Sequence, residues 1–559
     1  MNLLHLLLLL SPTSPLSIPR LPTPSRIFTT SNYLDAQSLS TKLAQHKPNE
    51  VKTVAIIGGG LSGLACAKYL VDAGHVPIIY ESRSILGGKT SAFYNPTTDP
   101  SSSDSIETGL HIFFGAYPNM MNLFTELNIH DRLQWQPHRM TFALPSIPGG
   151  FTSFNFPDNV PSPLNMAYAI LTNNKMLSLT DKLKMLPGLL PMYIRGQSFI
   201  DEQDDLSVTE FMEKYGMPES VKIELFNAMG KALDFIDSEK LSMGVILTAM
   251  NRFINEADGS QTAFLDGNQP ERLCEPLKEY IEGKGGRVIT GIPVDEVITD
   301  DTGLIKHLIM RDGSKVTADH YVSAMPVDVF KRILPHAWSR NTFFKGLKNL
   351  KGVPVINLQI WFDGKIKSSK RGLCFSRSEC LSVYADMSLN VEEYYNEKES
   401  MLSLVFAPAD KSMGGQRDWI KENDEEIVEE TLKELRRLFP GELYEKETPG
   451  GVKVKKYAVV RTPRSVYAAL PGMNVHRPTQ ATPIPNFTLA GDWTSQKYLG
   501  SMEGAVYAGK LAAEVVVEGR VGEGKWEREG MKPGGNRGET PIAFGGGQVG
   551  IGDDFIGHD

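Results

Sequence analysis

The strongest constraint on the fold is the six-residue run Gly58-Gly59-Gly60-Leu61-Ser62-Gly63, which comes after the apolar stretch Thr53-Val-Ala-Ile-Ile57 and precedes an apolar helical stretch from Leu64 to Val71. A buried-strand pattern that runs through Gly-x-Gly-x-x-Gly into a helix predicts a dinucleotide-binding unit. Gly58 permits the tight turn, Gly60 lets the backbone approach a pyrophosphate, and Gly63 lets helix and strand pack closely. The helix N-terminus offers unpaired N–H groups to the phosphates. A second strand, Val76 to Tyr80, ends in Glu81, where a carboxylate accepts both hydroxyls of an adenosine ribose and disfavours a 2′-phosphate. Glycines alone would make only a flexible turn; strand, helix, second strand and acid together make a ligand site.

At 559 residues the chain is long enough for two or three domains around a large cofactor. Hydrophobic residues at 41% and charged residues at 22% exclude a disordered or polytopic membrane chain. The formal net charge of -8 argues against nucleic acid and against polybasic membrane attachment, so any membrane contact is expected to be peripheral and hydrophobic. Cys66, Cys274, Cys374 and Cys380 form no Cys-x-x-Cys pair. They predict free buried thiols, with neither a metal site nor a disulfide framework. Residues 1–50 read as a targeting presequence, with a short apolar run from Leu3 to Leu10 and then a Ser-, Thr- and Pro-rich stretch, and are expected to lie outside the fold. Residues 519–559 read as a Gly-rich disordered tail.

The residues after Glu81 decide which dinucleotide the unit holds. Acid, a short spacer, then Gly87-Gly88-Lys89 resembles the amine oxidase and carotenoid desaturase superfamily, in which this loop closes over the pyrophosphate of FAD. The family more often carries Arg at the position of Lys89; Lys keeps the charge without the bidentate fork. Near the other end, Phe487-Thr-Leu-Ala-Gly491-Asp492-Trp493 is similar to the family's late strand, whose Gly-Asp carboxylate binds the ribityl or phosphate region. The helix after Leu499-Gly500-Ser501-Met502 then points its N-terminus at the flavin pyrimidine, with the Met502 N–H as candidate donor. A positive helix end suits the charge that a reduced flavin carries.

Three further stretches narrow the resemblance to phytoene desaturases of the plant and cyanobacterial type. They are Glu107-Thr-Gly-Leu-His111-Ile-Phe-Phe-Gly-Ala-Tyr117, Leu265-Asp-Gly-Asn-Gln-Pro-Glu-Arg272-Leu-Cys274 and Gln496-Lys-Tyr-Leu-Gly-Ser-Met-Glu-Gly-Ala505. The first is shared with zeta-carotene desaturases, whereas the second favours phytoene. Gln269 stands where Pro is expected and Gly500 where Ala is expected. The resemblance implies that His111 and Ile112 meet the flavin through their backbone, that Tyr117 is near it, and that Ser62, Glu81, Ser82, Gly88 and Lys89 line the adenosine-diphosphate half. It places Arg272, Gly500 and Tyr467 in the channel for substrate and quinone. On residue type alone, His111 and Tyr467 read equally as core residues and Arg272 as a surface residue.

The implied activity is FAD-dependent desaturation of 15-cis-phytoene to a poly-cis zeta-carotene, with plastoquinone as acceptor. It would take place on one leaflet of a plastid membrane, and a homo-oligomer is compatible with it. The chemistry is flavin-centred, and no side chain is assigned as general acid or base. A zeta-carotene desaturase, another flavin amine oxidase and a non-catalytic flavin-bearing scaffold are the alternatives.

The expected fold is α/β, with an FAD-binding Rossmann-like domain of amine oxidase type, an inserted α+β substrate domain and a helical membrane-facing region. The FAD-binding domain is assembled from residues 51–150, 256–325 and 461–518. Residues 326–460 form the substrate domain, and 151–255 the helical region. Within the latter, apolar clusters from Val160 to Arg195, split at Asn173-Asn174-Lys175 and Thr180-Asp181-Lys182, predict short in-plane helices. Leu189, Leu190 and Ile194 are expected to face lipid, with Lys175, Lys182, Lys184 and Arg195 snorkelling to headgroups.

Overall fold

The computed structural model describes residue 18 and residues 20–94, 105–158, 160, 162–445 and 450–522. Thr53–Ile57 and Val76–Tyr80 form strands with the expected bounds. They lie in a five-stranded sheet of order Arg287–Ile289, Val76–Tyr80, Thr53–Ile57, His320–Ser323 and Phe487–Leu489, parallel throughout. Strands covered on both faces read as continuous apolar runs, which is why Val54 to Ile57 carry no polar alternation and are all buried. The chain thus enters this sheet in three pieces. Helix Leu61–Asp72 packs against helix Met502–Glu518 in one apolar cluster. A methyl on Gly509 would stand 2.3 Å from the Ser62 carbonyl oxygen, so only glycine permits this crossing.

A second sheet of seven strands has the order Val454–Thr462, Val355–Phe362, Met401–Phe406, Leu381–Asp386, Cys374–Phe375, Arg139–Ala143 and Phe151–Asn155. Its last two strands correct the domain limits near residue 150. Residues 139–155 belong to the substrate sheet, because Arg139–Ala143 pairs with Phe151–Asn155 on one side and with Cys374–Phe375 on the other. Helix Asp424–Leu438 buries Ile427, Leu435 and Leu438 in the same cluster as Leu358 and Leu404 and turns its charged face outward. Cys66, Cys274 and Cys374 are buried free thiols; Cys380 is half-buried.

The expectation that residues 1–50 lie outside the fold is corrected for the described part of that segment. Ser31–Ala44 is a helix capped by Thr30, and its Tyr33 and Leu43 join the core cluster of the fingerprint helix. The segment also satisfies buried polar groups elsewhere. Arg26 pairs with Asp258 at 2.6 Å, Asn32 donates to Glu256, and the Ala36 carbonyl accepts from the buried Lys510 at 3.0 Å. Amphipathic spacing is weak in this helix because polar ties share the contact with apolar side chains. The run Leu3 to Leu10 and residues 523–559 lie outside the described residues.

Leu164–Thr172 and Leu179–Arg195 are the two helices of the Val160–Arg195 stretch. Asn173-Asn174-Lys175 separates them, whereas Thr180-Asp181-Lys182 opens the second one, with a Ser178–Asp181 capping box. Of the eighteen exposed large hydrophobic side chains among the described residues, nine lie on these two helices. They are Leu164, Tyr168, Leu171, Leu179, Leu183, Leu186, Leu190, Tyr193 and Ile194, which give each helix an apolar outer stripe. Two assignments are corrected. Leu189 is buried, because it falls on the opposite side of the helix with Met185 and Met192. Lys182 is buried too, donating to the Leu171 carbonyl at 3.1 Å and Asn174 Oδ1 at 2.9 Å, so it joins the helices to each other and does not snorkel.

Candidate functional site

Three of the five parallel strands deliver candidate residues at their carboxyl ends, the edge where open α/β sheets hold ligands. Gly58 sits at φ +111°, a region side chains avoid, and its N–H donates to the Tyr80 carbonyl at 2.9 Å. A methyl on Gly63 would stand 2.0 Å from the Gly58 oxygen. Gly60 differs: a methyl there would meet nothing closer than Gly88 Cα at 3.6 Å. The protein therefore has no steric need for glycine at position 60. The buried Ser62 Oγ has no hydrogen-bond partner among the described residues. An open cradle at Gly60 and an orphaned hydroxyl two residues on fit a bound pyrophosphate.

Glu81 is buried at the end of its strand. Its Oε2 accepts from the Gly59 N–H at 2.7 Å, and its Oε1 from Arg83 N–H at 2.9 Å and Ser82 Oγ at 3.0 Å. The carboxylate is thereby fixed against the glycine loop. Gly88, at φ +60°, lies back to back with Gly60. Lys89 Nζ reaches both oxygens of Asp492, at 3.0 and 3.1 Å, across 403 residues of sequence. His111 stands with Nε2 3.2 Å from the Lys89 carbonyl and Nδ1 3.4 Å from Glu107, whose other oxygen accepts from Tyr394 at 3.0 Å. The structure thus gathers Gly58, Gly60, Ser62, Gly63, Glu81, Ser82, Gly88, Lys89, His111 and Asp492 around the glycine loops.

Met502 is the first residue of its helix, where no intrahelical carbonyl can reach its N–H. The next residue, Glu503, is fully buried and accepts from Asn119 N–H, Asn119 Nδ2 and Met120 N–H at 2.8–2.9 Å. It clamps the start of helix Pro118–Glu126 beside Tyr117, whose phenol is pushed up by burial and by the nearby Glu503. Ile112 is half-buried against the apolar cluster of Phe264, Ala385, Met387, Val391 and Met401.

Tyr467 and Gly500 meet: a methyl on Gly500 would lie 3.1 Å from the Tyr467 ring. Tyr467 also lines a small cavity of about 20 Å³ with Ile200, Asp204, Val245, Thr248, Asn474, Arg477 and Leu499. Burial lifts the Asp204 carboxyl to about 6, against hydrogen bonds from Ser242 and Asn474 that pull it down. Arg272 does not line this cavity. Its partly exposed side chain lies between Asp266 and Glu393, 3.8 Å from each. Sequence reasoning missed Glu107, Tyr394, Glu503 and Arg477. Glu107 and Glu503 stand inside the family-like stretches, and an acid in an apolar run is the signal that could have found them; Tyr394 and Arg477 sit in loops with no such signal. Among the described residues no group of side chains could hold a metal ion.

Residues 61–517 match the family model "Flavin containing amine oxidoreductase". Similar proteins include a 15-cis-phytoene desaturase, chloroplastic/chromoplastic, of Solanum lycopersicum, 50% identical over 490 residues that cover 88% of this chain and 82% of the relative. The 15-cis-phytoene desaturase of Synechococcus elongatus is 50% identical over 469 residues, covering 83% and 95%. A zeta-carotene desaturase of Synechocystis is 34% identical over 496 residues, covering 83% and 97%. Among solved structures, an oxidoreductase from Methanosarcina mazei superposes with a TM-score of 0.62 at 16% identity, covering 83% of this chain and 100% of that one, a likeness of fold.

Proposed function

We propose that this chain, which belongs to the flavin-containing amine oxidoreductase family and is an FAD-dependent oxidoreductase of that fold, desaturates 15-cis-phytoene via phytofluene to a poly-cis zeta-carotene. The observation that carries the substrate assignment is the gradient of likeness. Identity is 50% to 15-cis-phytoene desaturases of both a plant and a cyanobacterium, against 34% to a zeta-carotene desaturase over a similar length. Plastoquinone is the proposed acceptor and a plastid membrane surface the proposed location. The relatives' chloroplastic names and the apolar stripes on Leu164–Thr172 and Leu179–Arg195 support that placement. No described helix is long and apolar enough to cross a membrane, and the proposed contact is that of helices lying in one leaflet.

Bound FAD supplies the hydride acceptor. The chain's own residues hold and orient it. Gly58, Gly60, Ser62 and Gly63 take the pyrophosphate, and Glu81 and Ser82 the adenosine ribose. Gly88 and Lys89 cover the phosphates, Asp492 meets the ribityl side, and the Met502 N–H faces the pyrimidine. His111, Ile112 and Tyr117 form the wall of the site. Tyr467 and Gly500 shape the substrate channel by steric fit, since a hydrocarbon offers no polar handle. Arg272, between Asp266 and Glu393, serves the quinone end.

The test is anaerobic incubation of the FAD-loaded protein with phytoene in liposomes and plastoquinone, and then chromatography of the polyene isomers. Quinone-dependent loss of phytoene with gain of phytofluene and zeta-carotene is expected. Turnover of zeta-carotene but not phytoene, or of amines with release of hydrogen peroxide, would replace this reading.

A further inference from the structure

Arg477 is 4% exposed and lies on a loop that no candidate motif includes. Its guanidinium holds three consecutive backbone carbonyls of the Gly-Asp segment. Nη2 donates to Asp492 O at 3.0 Å and Thr494 O at 2.7 Å, and Nε to Trp493 O at 3.3 Å. Nη1 reaches Asn474 Oδ1 at 3.5 Å, and the guanidinium carbon lies 4.6 Å from the centre of the Tyr467 ring. Among the described residues no carboxylate lies within ion-pair distance of it. The hydrogen bonds lead to Asp204 only through Asn474, which donates to Asp204 Oδ1 at 2.7 Å. Backbone carbonyls solvate a buried guanidinium without neutralising it, and a buried cation without a counter-charge is costly to keep. The Asp492 carboxylate does not compensate, because Lys89 already takes both its oxygens.

The segment therefore carries a positive charge with no direct ion-pair partner among the described residues, its nearest hydrogen-bonded acid being Asp204 beyond Asn474. We propose that Arg477 is a positioning residue for the flavin. By gripping the carbonyls of residues 492–494 it sets the direction of the Asp492 carboxylate, and its charge, free of a direct ion pair, favours the reduced, anionic state of the cofactor. The same guanidinium, stacked on Tyr467, fixes that ring against Gly500, so one buried cation orders both the cofactor segment and the channel wall. This role rests on the proposed binding of FAD.

The experiment compares wild type with Arg477→Gln, which can still donate to a carbonyl without charge, and Arg477→Lys, which keeps the charge without the fork. Stripped proteins are titrated with FAD, and the midpoint potential of the reloaded flavin is read by spectroelectrochemistry. Arg477→Gln should bind FAD at least tenfold more weakly. Its bound flavin should also show a lower potential, a tenfold loss of preference for the reduced form corresponding to about 30 mV for a two-electron couple. Arg477→Lys should keep a potential near wild type while still binding FAD weakly. An unshifted potential in FAD-loaded Arg477→Gln overturns the proposal, leaving Arg477 as a brace for the loop, even if melting temperature falls. If Arg477→Gln does not fold, the Lys variant decides: a potential lowered as far as in a charge-free site overturns it. A wild-type protein that takes up no FAD refutes the underlying cofactor reading instead.

Discussion

Gly60→Ala separates the needs of the cofactor from the needs of the fold. Gly60 has φ −78° and ψ 176°, extended backbone that alanine adopts freely, and the added methyl would lie at ordinary contact distance, 3.6 Å from Gly88 Cα. The apoprotein should therefore be no less stable, and a gain of about 0.4–1 kcal/mol is expected from the smaller entropy of the unfolded chain. The methyl fills the space where the backbone must approach the pyrophosphate. Overpacking of that kind costs about 1–3 kcal/mol, which is roughly 5- to 150-fold in FAD affinity. Gly63→Ala is the contrasting variant: its methyl would stand 2.0 Å from the Gly58 oxygen, so helix and strand must separate and the apoprotein itself should lose stability. Both are read by calorimetry of flavin-stripped protein and by fluorescence titration with FAD. Wild-type FAD affinity in Gly60→Ala, or an apoprotein that melts well below wild type, would refute the assignment of Gly60 to the phosphates.

Leu186, Leu190 and Ile194 are 50%, 49% and 75% exposed, together more than one and a half side chains of apolar surface. At about 1.5–3 kcal/mol per fully buried side chain, replacing all three by Ser should weaken binding to vesicles by roughly 100-fold or more while FAD content stays unchanged. Unchanged vesicle binding would move the membrane contact elsewhere, and Leu189→Ser, at a buried position, should instead lower the melting temperature. Deleting residues 1–44 should destabilise the fold, because Asp258, Glu256 and Lys510 lose partners while buried; a melting temperature equal to that of the full chain would count against a structural role for this segment. Burial holds the Glu503 carboxyl at about 7 although the hydrogen bonds from Asn119 and Met120 pull it down. The folded state keeps that proton where the unfolded chain has released it. The Glu503 contribution to stability therefore falls as pH rises from about 4.3 to about 7, and Glu503→Gln should flatten that part of the melting profile. An unaltered slope would show that Glu503 is ionised throughout.

The dinucleotide unit was legible along the chain because each of its parts is local. Thr53–Ile57 is apolar because both faces of its strand are covered, Gly58 must take a positive φ, and Glu81 ends the very next strand. Residues this close in sequence express their packing as a pattern, and the flavin choice came from short runs at Lys89 and Asp492. That the two side chains pair across 403 residues was not readable, since nothing in either run depends on the other until the sheet brings them together. The same holds for the Arg477 grip on residues 492–494 and for the N-terminal helix, whose ties to Glu256, Asp258 and Lys510 come from separate elements. Between Leu179 and Arg195 the composition showed an amphipathic surface helix, but Leu189 and Leu190 are the same residue type one position apart. Only the rotation of the helix on its neighbours, about 100° per residue, sends one inward and the other to the surface. Chemistry written into contiguous residues is determined by sequence alone; burial and pairing wait for tertiary structure, because they depend on which distant surfaces meet.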